Sequence, residues 1–173
     1  MTSQLHFALF GQTGTGKTFA AQQFARFMRA RGLGVLALHK PLEAWPADAV
    51  SWQTPDPEAY LWKWERSRRC GCFMELADAF VDKWDARFHR CFSSGRHLGH
   101  RCFYITQRAA LVHPNIRDNC SSLCLFAVPT NAARLWAMDF NDENLLRAVN
   151  LPPRYFFFKP SRYDSARLMT LAP

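Results

Sequence analysis

Near the start of the chain, Gly11-Gln12-Thr13-Gly14-Thr15-Gly16-Lys17-Thr18 has the spacing G-x-x-x-x-G-K-T. Glycines in such a run let consecutive backbone N–H groups turn inward around a polyphosphate without Cβ atoms in the way. Lys17 then reaches the β- and γ-phosphates, and the Thr18 hydroxyl is placed to ligate Mg2+. The helix that follows directs the positive end of its dipole at the anion. The plain alternative is a glycine-rich turn between a strand and a helix. A second chemical centre is Glu75-Leu76-Ala77-Asp78, which closes an apolar run. An acid at the C-terminal end of a strand beside the loop can hold Mg2+ or orient an attacking water. Asp78 reads equally well as a helix cap; Glu75 does not. Gln107 ends another apolar run in Thr106-Gln107-Arg108. It can hydrogen-bond both a γ-phosphate and a water, or be an ordinary turn residue.

These groups need elements that carry them to one edge. Residues 5–10 form a strand-like run, and 19–31 have helical spacing, with Phe19, Ala20, Gln23, Phe24, Phe27 and Met28 in phase. Gly32 and Gly34 stop that helix, and 35–38 is a short buried strand, which completes a βαβ unit. Pro41, Pro46, Pro55 and Pro57 mark loops around a short strand at 49–52. Residues 58–69 read as a helix with Tyr60, Leu61 and Trp64 on one side and a basic end at Lys63, Arg66, Arg68 and Arg69. That end could touch nucleic acid, although cations are favourable at any helix C-terminus. Further strands fall at 70–74, 102–105 and 123–128, and helices at 79–92, 114–119, 130–139 and 143–149. A closing pair of edge strands lies at 155–158 and 167–171. The expected architecture is one α/β domain over residues 1–173, with a mostly parallel, doubly wound sheet.

Composition narrows the setting. Lys and Arg number 22 against 14 Asp and Glu, a formal charge of +8 that suits a polyanionic partner and is also explained by solubility alone. The hydrophobic fraction is 49 %, yet no apolar run reaches the roughly 18 residues of a spanning helix. The N-terminus lacks the basic-then-apolar pattern of a secretory leader, so a soluble, intracellular protein is expected. The six cysteines contain no C-x-x-C pair and most lie in apolar runs, as small reduced hydrophobes rather than zinc ligands. His89, His97, His100 and His113 are not spaced to share a helical face, and none reads as a metal ligand.

The order of these signals resembles the FtsK/HerA superfamily of DNA-translocating ATPases. The resemblance is carried by the loop at 11–18, by Glu75-Leu76-Ala77-Asp78, and by Gly95-Arg96-His97 leading to Thr106-Gln107-Arg108. Ile116-Arg117-Asp118-Asn119 and the strand containing Phe126 complete it. In size the chain is most similar to the small genome-packaging ATPases of tailless, membrane-containing phages and related viruses. The resemblance implies an α/β P-loop NTPase fold of the RecA/FtsK-HerA kind, with ATP and Mg2+ as cofactors. It implies hydrolysis that drives double-stranded DNA into a viral capsid, through a homo-oligomeric ring, a hexamer, with capsid or portal vertex proteins as further partners. The place of action would be the host cytoplasm or the packaging vertex of the virion. Residues 11–18 would bind the nucleotide, and Lys17, Glu75 and Gln107 would act in catalysis, with Thr18 and Glu75 at the metal. An arginine from the neighbouring subunit would complete the site; Arg117 is preferred over Arg96 and Arg108, against an alternative of a salt bridge to Asp118 or Glu143.

One departure stands out. Family members carry Asp-Glu at the end of the second motif strand, the Asp assisting Mg2+ and the Glu polarising water, whereas here Met74 precedes Glu75. One register makes Glu75 the water-polarising residue and keeps the other motif matches; a shift by one puts Glu75 on the magnesium and Leu76 where the base belongs. The first is preferred. Two other functions share the loop: a small nucleoside or nucleotide kinase, which would need a lid of clustered arginines, and a non-hydrolysing phage morphogenesis relative.

Overall fold

The computed structural model describes residues 6–75, 84–108 and 112–171. Its parallel strands are β1 (His6–Phe10), β2 (Gly34–Leu38), β3 (Trp52–Thr54), β4 (Cys70–Glu75), β5 (Arg101–Thr106) and β6 (Cys120–Leu125). An antiparallel pair, β7 (Tyr155–Lys159) and β8 (Arg167–Thr170), extends the sheet beyond β6. Among the described residues these eight strands form one sheet in the order β3-β2-β4-β5-β1-β6-β7-β8. The central strands read as nearly unbroken apolar runs because both faces are covered; every residue of β4 is buried.

The helices α1 (Lys17–Ala30), α2 (Pro57–Arg66), α3 (Ala86–Ser94), α4 (Pro114–Asn119) and α5 (Thr130–Phe140) connect the strands. Among the described residues, short 3-10 turns at Gly95–Leu98 and Glu143–Asn150 also lie between strands. On one face α1 lays Ala20, Ala21, Ala25 and Met28 over Leu9, Phe73 and Phe103. On the other, Tyr60, Trp64, Phe88, Phe92 and Trp136 cover Phe10, Met74 and Tyr104.

The strand order serves the site. β5 lies between β1 and β4, so the three strands whose C-terminal ends carry the glycine loop, Gln107 and Glu75 are adjacent. The β1-α1-β2 crossover is parallel but spans two intervening strands, where the sequence suggested a simple βαβ unit. Phe7, Phe103 and Phe73 are register partners across these three strands. Their rings stack at 4.7 Å and 4.1 Å between centroids, within 12° of parallel. Side chains alternate along a strand, so Phe73 and Glu75 face α1 while Met74 is buried in the opposite core.

Elsewhere the boundaries move for local reasons. Pairing of β3 starts at Trp52 rather than Ala49, because the Ala49 N–H closes a turn onto the Pro46 carbonyl and the Ser51 side chain caps the Val35 N–H. Helix α2 ends at Arg66, three residues early: Ser67 is extended, its hydroxyl bonds back to the Lys63 carbonyl, and Arg69 takes φ 54° with its N–H on the Leu98 carbonyl. Strand β6 begins at Cys120, directly at the end of α4. Helix α3 starts at Ala86, capped by the Asp85 carboxylate on the Arg87 N–H; the expected start at 79, like Asp78, lies outside the described residues. No described helix is long and apolar enough to cross a membrane.

Candidate nucleotide-binding site

The loop from Gly11 to Gly16 is held on both sides by backbone. Gly11 N–H reaches the Thr106 carbonyl of β5 at 3.4 Å, and Gln12 N–H reaches Ala127 at 2.9 Å. A Cβ on Gly11 would lie 2.5 Å from the Phe126 Cβ, so only glycine fits between β1 and β6. Gly16 has φ 106°, a left-handed turn from which α1 starts with its free N–H groups facing the loop. Thr15 donates its hydroxyl to the Gln12 carbonyl at 2.8 Å.

Lys17, with 7 % of its surface exposed, donates from Nζ to that same carbonyl at 2.7 Å. Burial, with Lys40 nearby, lowers its pKa to about 8, only partly offset by Glu75. It is a buried ammonium on a neutral acceptor, beside an opening lined by Thr13, Gly14, Thr18, Phe19 and Gln107. That cleft has a volume of about 330 Å³. An anion there would relieve the desolvated charge.

Glu75 is 3 % exposed. Its Oε1 accepts the Thr18 hydroxyl at 2.5 Å and its Oε2 the Trp45 indole N–H at 3.4 Å. Strand alternation accounts for this: from β4 only an odd-numbered position in this stretch points at the start of α1, and Met74 points away. A threonine hydroxyl against a carboxylate is an oxygen-donor pair suited to Mg2+, and the arrangement fits that ion together with a polyphosphate on the loop. Gln107 Oε1 accepts the Thr13 hydroxyl at 2.7 Å, which brings the end of β5 onto the loop.

The three candidate arginines are placed differently. Arg117 is drawn into an ion pair with Asp139 at 2.9 Å, at the N-terminal end of β6 and far along the sheet from the loop. The partner is neither Asp118 nor Glu143. Arg96 is exposed on the 3-10 turn before β5, also at the N-terminal edge, and makes no ion pair among the described residues. Arg108 is exposed beside Gln107, at the loop edge. Within one chain the structure thus joins residues 11–18, Glu75 and Gln107, and leaves Arg96 and Arg117 at the opposite edge. Arg66, Arg68 and Arg69 are exposed at that same opposite edge, with Arg66 stacked 4.5 Å from the Trp62 ring centre.

Sequence reasoning missed Trp45, Lys40 and Glu43. Trp45 is clamped by Gln53, which bonds both its N–H (2.7 Å) and its carbonyl (2.9 Å). Its ring lies 5.3 Å from Phe73. Lys40 and Glu43 line the cleft and pair at 3.5 Å. Lys40 could have been found, since it lies two residues beyond the end of a parallel strand, at the edge where ligands bind.

Comparison with solved structures adds the decisive likeness. The genome-packaging NTPase B204 of Sulfolobus turreted icosahedral virus 2, solved with sulfate, aligns at a TM-score of 0.82 and 12 % identity over 100 % of this chain and 99 % of that one. This chain has the fold of a viral genome-packaging NTPase. B204 of Sulfolobus turreted icosahedral virus, a DNA-packaging ATPase, aligns at 0.76 and 14 % identity over the full length of both chains. The pCW3 conjugation coupling protein TcpA, solved with ATPγS, aligns at 0.74 and 11 % identity over 96 % of this chain and 60 % of its own. The fold expected from the motifs and the fold of these structures therefore agree. No protein-family model matches the sequence, and no curated protein matches it.

Proposed function

We propose that the chain is the ATP-hydrolysing subunit of a motor that translocates double-stranded DNA, with packaging of a viral genome as its setting. The observation that carries this reading is the Thr18–Glu75 contact beside Lys17, in a fold shared with B204. B204 has been solved with the ATP analogues ATPγS and AMPPCP. Residues 11–18 would bind the ATP phosphates through backbone N–H groups. Lys17 would turn from the Gln12 carbonyl to the β- and γ-phosphates. Thr18 and Glu75 would hold Mg2+, which neutralises phosphoryl charge when bound. This is the shifted register, with Glu75 on the metal side, because its two oxygens are committed to Thr18 and Trp45. Gln107, which accepts the Thr13 hydroxyl, would contact a terminal phosphate and so report its presence.

Charge that develops on the phosphoryl oxygens still needs a cation on the open side, which ring ATPases supply from a neighbour. Among the candidates Arg96 suits this better than Arg117. Arg96 is exposed, makes no ion pair among the described residues, and sits on a turn packed through Gly95, whereas Arg117 is committed to Asp139. That role requires a neighbouring copy of the chain, which fits the homo-oligomeric ring, a hexamer, that the family resemblance implies. Arg66, Arg68 and Arg69 are the candidate contacts to the DNA backbone, where charge and not base identity is read.

The test is the ATP hydrolysis rate with and without duplex DNA, run beside a mass determination in solution. Stimulation by DNA in a multimeric species is expected, with DNA affinity falling by roughly 0.9 log units per log unit of salt for each neutralised phosphate. Stimulation by a nucleotide acceptor instead would make the chain a kinase. Nucleotide binding without turnover would make it a non-hydrolysing assembly relative.

A further inference from the structure

The loop fixes which way a nucleotide lies. Lys17, Glu75 and Gln107 mark the end of the cleft that takes the terminal phosphates, so the rest of the molecule leaves past the start of α1, at Phe19. Glu75 lies two strands away from β1 on one side; β7 lies two strands away on the other. On that second side the turn into β7 brings Arg154 against the loop. Its N–H donates to the Thr15 carbonyl at 3.0 Å, and its carbonyl accepts the Leu171 N–H at 2.9 Å. These two bonds hold Arg154 at φ 70°, a conformation that costs a branched or long side chain energy unless its surroundings impose it. Its guanidinium carbon is 5.9 Å from the Phe19 ring centre, and Leu171 packs within 3.0 Å of where a Gly16 Cβ would be. Arg154 is exposed and makes no ion pair among the described residues, which leaves its guanidinium facing the Phe19 ring.

We infer that Arg154, with Phe19 and Leu171, is the seat of the nucleotide's base, and that this seat takes any purine. It rests on the nucleotide-binding reading above and extends it to the part of the ligand that the loop does not touch. A planar guanidinium, an aromatic ring and an aliphatic side chain are the surfaces on which a flat base stacks. Guanidinium has donors and no acceptor. Stacked on a base it presents its face and not its N–H edge, so neither the adenine amino group nor the guanine carbonyl is read, and little choice between the two purines follows. The β7–β8 pair thereby becomes part of the binding site through the chain positions on either side of it, Arg154 and Leu171.

The test compares dissociation constants of ATP, GTP and inorganic tripolyphosphate, each with Mg2+, for the wild-type chain and for Arg154→Asn. Asparagine tolerates positive φ, so the turn and its bond to Thr15 survive. Wild-type protein should bind ATP and GTP within about tenfold of each other, and both about 5- to 100-fold more tightly than tripolyphosphate, as expected for one stacked base. In Arg154→Asn that ratio should fall by about fivefold or more, whatever happens to the tripolyphosphate constant itself. An unchanged ratio overturns the base seat while leaving the phosphate loop in place. Strong preference for ATP over GTP overturns the absence of purine choice. If neither nucleotide nor tripolyphosphate binds the wild-type chain, the nucleotide reading falls and the base seat with it.

Discussion

Lys17 should take up a proton when a polyphosphate binds. In the free chain burial and Lys40 hold its pKa to about 8, against an ordinary value of 10.5. A bound polyphosphate removes that disadvantage and returns the pKa to about 10.5 or above. Near pH 7 the group is about nine-tenths protonated in the free chain, and binding takes up only about 0.1 proton. Near pH 8 uptake rises to about 0.5, and near pH 9 to about 0.9 proton per site. Affinity falls correspondingly above pH 8, toward a limit of about 300-fold for a difference of about 2.5 units. Isothermal titration calorimetry in two buffers of different ionisation enthalpy reads the uptake directly, and Lys17→Met should abolish it. Heats at about pH 9 that do not depend on the buffer would refute the reasoning. Folding carries the same linkage. Between about pH 8 and 10.5 the unfolded chain binds more protons at Lys17 than the folded chain, so the penalty present at neutral pH is relieved as pH rises through that window.

Four further outcomes are expected. Glu75→Gln should remove the enhancement of nucleotide affinity by Mg2+ and, through that loss of the metal, slow turnover by about 100-fold, whereas Asp78→Asn should leave the Mg2+ enhancement intact. A variant at Glu75 that keeps full Mg2+ dependence would return that residue to the water-polarising role. Arg117→Ala should destabilise the fold by about 1–3 kcal/mol in a denaturant titration, because Asp139 loses its partner. Arg96→Ala should change stability by less than about 0.5 kcal/mol yet be inactive, and mixtures with Lys17→Ala subunits should recover part of the rate. Exchanging mixtures that stay at background would remove Arg96 from the site. Gly11→Ala should cost about 1–3 kcal/mol in thermal unfolding through overpacking against Phe126.

Much of this was legible in the chain itself. The loop needs glycines and a Lys-Thr pair at fixed spacing, and its flanking strand and helix follow from apolar period alone. The Glu75 strand and the Gln107 strand were equally readable, as was the final antiparallel pair. What could not be read is which strand lies beside which, because hydrogen-bond partners are not encoded in period. The insertion of β5 between β1 and β4 decides that Glu75 and Gln107 share an edge with Lys17. The same gap bears on the Glu75 register proposed above: the motif match favours one assignment, whereas the Thr18 contact that supports the other exists only because of where α1 lies over the sheet. Trp45 was hidden because a proline-rich loop gives no periodic signal, and its role exists only through Gln53 and Glu75, contributed by two other strands.

The stacked rings of Phe7, Phe103 and Phe73 have a mechanical consequence. They run across β1, β5 and β4 only two to four residues before Gly11, Gln107 and Glu75. The spacing among a phosphate cradle, a sensor amide and an acid is thereby set by one stiff bar, not by three independent loops. An error in any one ring would be transmitted to all three groups as a common misalignment. The same bar leaves the groups free to change identity, because a side chain at the tip can be exchanged without disturbing the gauge that positions it.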